Sequence, residues 1–307
     1  MKILNYILRV IVAATFLFSA FTKLYPIEPF ELTLIDIGIS SWSFSPILAR
    51  LLVGIEIFLG IVILINLKYL RSFLNAALIL TLFFSFYLIL LWAFRGNDMN
   101  CGCFGDFIKM TPSESLIKNA VLVLVILMAI KTHIGFKRNY IWVRIGLAIV
   151  ALTLPFILNV VEIDRRHPDN KEYPYSFPIE DLDLEYRAPM EVNMNEGEYV
   201  LAFLSTSCSH CRVAAQKLGI ARRKYKLPPI KVFFIGNDAS VAVFHKEVNA
   251  EFEYVLFNNP DIYKITNAIF PSVFHVKNGQ VYKQWNGSEL SYSEMEFLSE
   301  TIKKAED

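Results

Sequence analysis

Apolar positions are distributed unevenly along the chain. Residues 1–161 hold nearly all the long apolar runs, and residues 162–307 have the composition of an ordinary globular chain. A bilayer core takes roughly 20 mostly apolar residues per helix. Five segments meet that length, at about Ile3 to Leu24, Ile47 to Leu67, Ser72 to Phe94, Ser115 to Ile130 and Tyr140 to Val161. The fourth is the shortest, and Pro155 is expected to kink the fifth, with neighbouring helices re-satisfying the freed carbonyl. The first segment is long and has no small-residue cleavage site, so it is expected to remain as a span rather than act as a leader.

The pattern changes after Val161. Residues 162–194 are charged, carry Pro168, Pro174, Pro178 and Pro189, and read as a linker with little regular structure. From residue 195 on, short β-rich runs alternate with a helical stretch. Tyr199 to Leu204 and Ile230 to Ile235 read as strands, with a third at Glu253 to Phe257. Arg212 to Lys226 reads as a helix. Val273 to Val276 and Gln280 to Trp285 form a hairpin around Lys277-Asn278-Gly279. A terminal helix is expected from about Ser293 to Lys304, with Ser291 or Ser293 as its cap. The expected organisation is therefore multi-domain: an all-α transmembrane bundle over 1–161, a linker over 162–194 and an α/β domain over 195–307.

Composition agrees with this division. Hydrophobic residues make up 54% of the 307, with 25 phenylalanines, and the net charge of +1 gives no basis for a nucleic-acid partner. Basic residues set the orientation. Lys2, Lys68 with Arg71, and Lys131 with Lys137 and Arg138 mark cytoplasmic ends, whereas Tyr25 to Pro46 carries Glu28, Glu31 and Asp36 and no Lys or Arg. Five spans then place the loop after the third span, and everything after Val161, on the extracytoplasmic (periplasmic) side of a cell membrane.

Some charges fall within the apolar spans. Arg9 and Arg144 lie near cytoplasmic ends, and Arg50 and Lys118 near outer ones, where their side chains can snorkel. Glu56 lies about ten residues deep, at ~1.5 Å each. It is expected either to pair with a basic residue, Arg9 being the first candidate, or to titrate along a proton path.

The four cysteines form two close pairs, Cys101 with Cys103 and Cys208 with Cys211. The topology puts both on the oxidising side, where disulfides persist. Two extended residues separate Cα atoms by roughly 6.6–7.2 Å, against about 4.4–6.8 Å for a disulfide. A Cys101–Cys103 bond therefore needs a turn, which Gly102 permits. Such a bond would be strained and readily reduced, which suits exchange better than stapling. A disulfide that only pins the loop is the alternative. A zinc site is disfavoured, because zinc takes about four ligands and the pairs lie in different domains. After the loop, Thr111 or Ser113 with Glu114 can cap the fourth span.

The run Cys101-Gly102-Cys103-Phe104-Gly105 before a helix, Phe18 to Lys23-Leu24 with a following proline, and Glu56 in the second span resemble the MauE branch of the DoxX-like membrane proteins. The resemblance covers roughly residues 3 to 135. It implies disulfide chemistry outside the cytoplasmic membrane. Some DoxX-like relatives are linked to quinone, so a quinone acceptor is implied and no covalently bound cofactor is expected.

Strand, Cys-x-x-Cys opening a helix, strand, helix, hairpin and helix is the order of a thioredoxin-like domain. Phe270-Pro271-Ser272 stands where that fold carries its cis-proline, so the resemblance implies that Pro271 faces Cys208 and helps hold a substrate chain. At a helix N-terminus, partial positive charge favours a Cys208 thiolate, the attacking species. His210, when protonated, would stabilise it further, and Cys211 would resolve the mixed disulfide. The chain departs from thioredoxins at Ser207, where they carry Trp, and at Ala202, where they often bury an acid. His210 resembles the oxidising members instead. A structural Cys-x-x-Cys bond is the alternative, and His245 and His275 read as ordinary surface or strand residues.

These features predict a membrane-anchored thiol–disulfide oxidoreductase. Cys208/Cys211 would exchange with extracytoplasmic client proteins and Cys101/Cys103 would relay electrons into the membrane. The rivals are the reverse electron flow, as in a thiol-reductant system, and a non-enzymatic assembly factor with structural disulfides.

Overall fold

The computed structural model describes residues 2–65, 68–97, 101, 110–132, 140–161, 172–178 and 196–295. Its contacts divide the chain into two compact units, Met1–Val161 and Glu162–Asp307. The first holds six helices among its described residues: α1 (Lys2–Leu24), α2 (Glu28–Asp36), α3 (Ser45–Ile65), α4 (Leu70–Arg95), α5 (Pro112–Lys131) and α6 (Ile141–Leu158). All but α2 are long and apolar enough to cross a membrane, and the chain is a multi-pass membrane protein. Each bilayer-length run became one helix because no backbone polar group can be left unpaired in hydrocarbon.

Helix α3 lies at the centre of the bundle. A Cβ at Gly60 would stand 2.8 Å from Leu17 of α1, and one at Gly54 3.0 Å from the Ala151 carbonyl of α6. Small residues at these two places let the backbones approach. Leu8, Val12 and Phe16 of α1 share a core with Leu59 and Ile63 of α3, Leu74 and Ala77 of α4, and Leu122 and Ile126 of α5. Helix α5 starts with the expected capping box, Thr111 Oγ1 accepting from Glu114 N while the Glu114 side chain accepts from Thr111 N. Pro155 falls inside the last turn of α6, and its carbonyl accepts from Asn159 N at 3.0 Å.

Helix α2 corrects the reading of Tyr25 to Pro46 as a plain acidic loop. Glu31 and Asp36 are buried rather than exposed to water. Arg50, expected to snorkel, pairs with Glu31 at 2.5 Å and also reaches the Pro46, Asn159 and Val160 carbonyls. Arg95 grips Asp36 through two side-chain hydrogen bonds of 2.9 and 3.1 Å. Arg9 is buried and donates to the carbonyls of Ile63 and Leu64, which the end of α3 leaves without helical partners. It is therefore not the partner of Glu56.

The second unit is a six-stranded sheet with helices. The elements are β1 (Tyr175–Ser176), β2 (Glu198–Ser205), α7 (Ser209–Lys224), β3 (Ile230–Ile235), α8 (Asp238–Val248), β4 (Glu253–Leu256), α9 (Ile262–Thr266), β5 (Ser272–Lys277) and β6 (Gln280–Asn286). The strand order is β1-β6-β5-β2-β3-β4. Strand β2 runs parallel to β3 and antiparallel to β5, and β5 and β6 form the hairpin. Asn278 and Gly279 both take positive φ, as the tight turn matched to strand twist requires. Two parallel strands bracketing the Cys-x-x-Cys helix, followed by an antiparallel hairpin, make this a thioredoxin-like fold.

Its core is aromatic. Phe203 and Phe233 stack with centroids 4.8 Å apart, and Phe274 meets Phe203 edge-on at 5.6 Å. The stretch read as linker contributes to this core. Tyr175 and Ser176 pair with Val281 and Gln280, and Phe177 packs edge-on against Phe274 at 5.4 Å. Residues 292–295 begin the terminal helix, with Ser291 Oγ accepting from Glu294 N, and the rest of that expected helix lies outside the described residues.

Candidate functional site

Strand β2 delivers the chain to its C-terminal edge, where Ser205-Thr206-Ser207 turns into α7. Cys208 is the N-cap of α7, with extended backbone and its Sγ accepting from Cys211 N at 3.2 Å. It is partly exposed, and Cys211 one turn on is fully buried. Both are free thiols. Burial pushes the Cys211 thiol well above the usual cysteine range, and its hydrogen bond to Cys208 adds to the rise. Ser205 N, donating to Cys211 Sγ at 3.4 Å, acts the other way. The environments of the two sulfurs therefore differ. One is accessible with an amide aimed at it, and the other is buried and protonated.

The loop is held from the side by Arg212. Its guanidinium donates to the Thr206 carbonyl at 2.9 Å and to Glu247 of α8 at 2.6 Å. Sequence reading passed over Arg212, because nothing in the letters ties it to Glu247, 35 positions away. His210 is exposed on the first turn of α7. Pro271 is buried at the start of β5, follows a cis peptide bond from Phe270, and accepts from Gly287 N at 2.7 Å. Ala202 is buried in β2.

In the membrane unit, Cys101 is buried against Tyr87, Leu88 and Leu91 of α4. Its Sγ lies 2.9 Å from Ser115 Oγ, and its amide donates to the Met110 carbonyl. Cys103 lies outside the described residues. Cys101 also lines a cavity inside the bundle together with Lys23, Glu56, Tyr87, Lys118 and Asn119. Lys23 Nζ meets Glu56 Oε1 at 2.5 Å.

With this geometry established, comparison with known proteins separates the two halves. Residues 1–132 match the family model of the methylamine utilisation protein MauE. Across both halves the chain is similar to protein TlpB of Flavobacterium psychrophilum, with 28% identity over 92% of this chain and 91% of that one. Two solved structures align with 36% of the chain, each at a TM-score of 0.31. One is a secreted Mycobacterium tuberculosis disulfide oxidoreductase homologous to E. coli DsbE, with 15% identity over 85% of its length. The other is a Chlorobium tepidum protein described as thiol:disulfide interchange protein DsbE, with 19% identity over 82% of its length.

Proposed function

We propose that the chain is a membrane-anchored thiol–disulfide oxidoreductase that carries electrons from extracytoplasmic client proteins into its MauE domain. The observation that carries the reading is the asymmetry of the Cys208/Cys211 pair. An exposed sulfur at a helix N-terminus, beside a buried protonated partner, is the arrangement a nucleophile and its resolver need.

In the oxidising direction a client thiolate attacks Cys208 Sγ of the Cys208–Cys211 disulfide. The S–S bond breaks and Cys211 leaves as the thiolate and takes a proton. A second client thiolate attacks the mixed disulfide, the client leaves with its own disulfide, and Cys208 leaves reduced. Two electrons now reside on the pair. Cys208 passes them on by attacking a Cys101–Cys103 disulfide, and Cys211 resolves that intermediate.

The membrane dithiol then needs a two-electron, two-proton acceptor, and a quinone is the class the membrane offers. The cavity beside Cys101 does not hold it: at about 40 Å³ it has room for a few waters and not for a quinone ring. His210 and Pro271 would meet the client chain, the first through its exposed ring and the second through the backbone it shapes. The basic residues at the opposite helix ends support placing both cysteine pairs on the periplasmic side.

Redox state in intact cells tests this, read by thiol alkylation and gel shift. In Cys211→Ser, Cys208 should accumulate in mixed disulfides that vanish in Cys208→Ser. In Cys101→Ser, Cys208/Cys211 should become reduced. A pair that turns oxidised instead reverses the direction, and a pair that does not change overturns the relay. A membrane-impermeant thiol reagent should label Cys208 from outside, and labelling only after lysis overturns the topology.

A further inference from the structure

The cavity beside Cys101 has a volume of about 40 Å³, room for roughly three waters at 10–15 Å³ each. Its titratable lining groups come from four helices and the loop: Lys23 of α1, Glu56 of α3, Tyr87 of α4, Lys118 of α5, and Cys101. Helix α2 contributes only Phe30. Glu56 is 3% exposed. Its Oε1 is held by Lys23 at 2.5 Å and by Ser19 Oγ at 3.5 Å. Its Oε2 has no hydrogen-bond partner among the described residues. A bare, buried carboxylate oxygen is costly and calls for a donor. In this cavity it shares its surroundings with a buried thiol.

We propose that Glu56 Oε2 accepts the proton of the Cys101 thiol across this cavity. The inference rests on Cys101 being an exchanging thiol, as proposed above. In the step the S–H bond breaks, an O–H bond forms on Glu56, and no electrons move. The negative charge passes from carboxylate to sulfur, so the cavity keeps its net charge. The Lys23 ammonium is then compensated by the thiolate across the cavity in place of the carboxylate. Ionising the thiol beside a carboxylate that stayed ionised would put two anions in one small space. The Cys101 thiolate is then the form that gives up electrons together with Cys103, and Glu56 releases the proton to the acceptor, which leaves the carboxylate ionised for the next turn. Lys23 is the positioning residue, because it occupies Oε1 and leaves Oε2 to the cavity.

A shared proton has a signature that simple electrostatics lacks. While one proton is divided between Cys101 and Glu56, the thiolate fraction is set by their internal equilibrium and does not vary with pH. The measurement is the iodoacetamide alkylation rate of Cys101 against pH, in the reduced full-length chain in membrane vesicles, read at Cys101 by fragment mass spectrometry. The natural chain should change by less than about twofold over two pH units near neutrality. Glu56→Gln should rise about tenfold per unit, as an isolated thiol does, and Glu56→Asp should restore the plateau. A tenfold rise per unit in the natural chain overturns the proposal whatever the variants do, and so does no reaction at any pH. The profile needs neither Cys208 nor a client. A relay that fails in the Cys101→Ser experiment is therefore distinguishable from a proton acceptor that fails here.

Discussion

Lys23 and Glu56 form an ion pair inside the bundle, Nζ to Oε1 2.5 Å, with both side chains at most 4% exposed. The ammonium also lies over the rings of Phe84 and Phe30, at 4.4 and 5.0 Å from their centroids. Breaking a buried pair from one side leaves the other charge uncompensated, at a cost of about 3–5 kcal/mol, whereas replacing both can be nearly neutral. Lys23→Met should therefore lower the aggregation temperature of the detergent-solubilised chain. Lys23→Met with Glu56→Gln should recover most of the loss. A double variant as unstable as the single would mean that packing of the lysine stem, and not charge, is what matters.

Arg50 binds four partners at once: the Glu31 carboxylate and the carbonyls of Pro46, Asn159 and Val160. Two of those carbonyls close the end of α6, the last described helix before the second unit. Arg50→Met would orphan them together with a buried carboxylate, again about 3–5 kcal/mol. Limited proteolysis should then cut near Asn159 at protease levels that spare the natural chain. Arg50→Lys keeps the charge but loses the planar fork, so it should rescue only part. Equal cutting in all three chains would show that the carbonyls are held by other contacts.

Much of this was legible in the sequence, and the missed parts share a cause. Five apolar runs became five helices because run length fixes a membrane span. Asn278-Gly279 became the hairpin turn because both residues tolerate positive φ. Cys208 fell at the N-terminus of α7 because Cys-x-x-Cys follows a strand. The pairings across helices were not legible. Arg9 was the first candidate for Glu56, but the letters give neither the stagger nor the facing side of two helices. Arg9 turned to the end of α3, and Lys23 reached Glu56. Glu31 and Asp36 read as loop acids because their arginine partners lie 19 and 59 positions away. Strand β1 is too short for a periodicity, and only its pairing with β6 reveals it.

Arg212 joins the loop before Cys208 to α8, and its charge also lowers the Cys211 thiol somewhat against the larger upward push of burial. Arg212→Gln should remove that help. Cys211 would ionise less readily, and mixed disulfides on Cys208 would last longer, by less than about tenfold, since a full pKa unit is tenfold. The lifetime is read by acid-quenched gel shift after adding a reduced model peptide to the oxidised chain. Raising the pH should shrink the difference, because a more alkaline medium compensates for a weaker acid. A longer lifetime that ignores pH would point to a displaced loop instead.

His245 of α8 is surrounded by the rings of Phe234, Phe252 and Tyr254 at 5.6–6.0 Å. Burial lowers its pKa below the ordinary histidine range, Arg222 pushes the same way, and Glu251 opposes. Its Nε2 has no hydrogen-bond partner among the described residues. The folded state thus prefers the neutral ring. Above the unfolded-state pKa, about 6.5, both states are neutral and pH has no effect through this residue. As pH falls below that value the unfolded chain takes up a proton that the folded chain resists, and stability is lost until the folded pKa is passed. The full-length chain should accordingly lose thermal stability on acidification from about pH 7 to 5. His245→Phe should flatten that loss while preserving the ring contacts, as differential scanning fluorimetry would show. An unchanged slope in His245→Phe would overturn the assignment of the acid sensitivity to this residue.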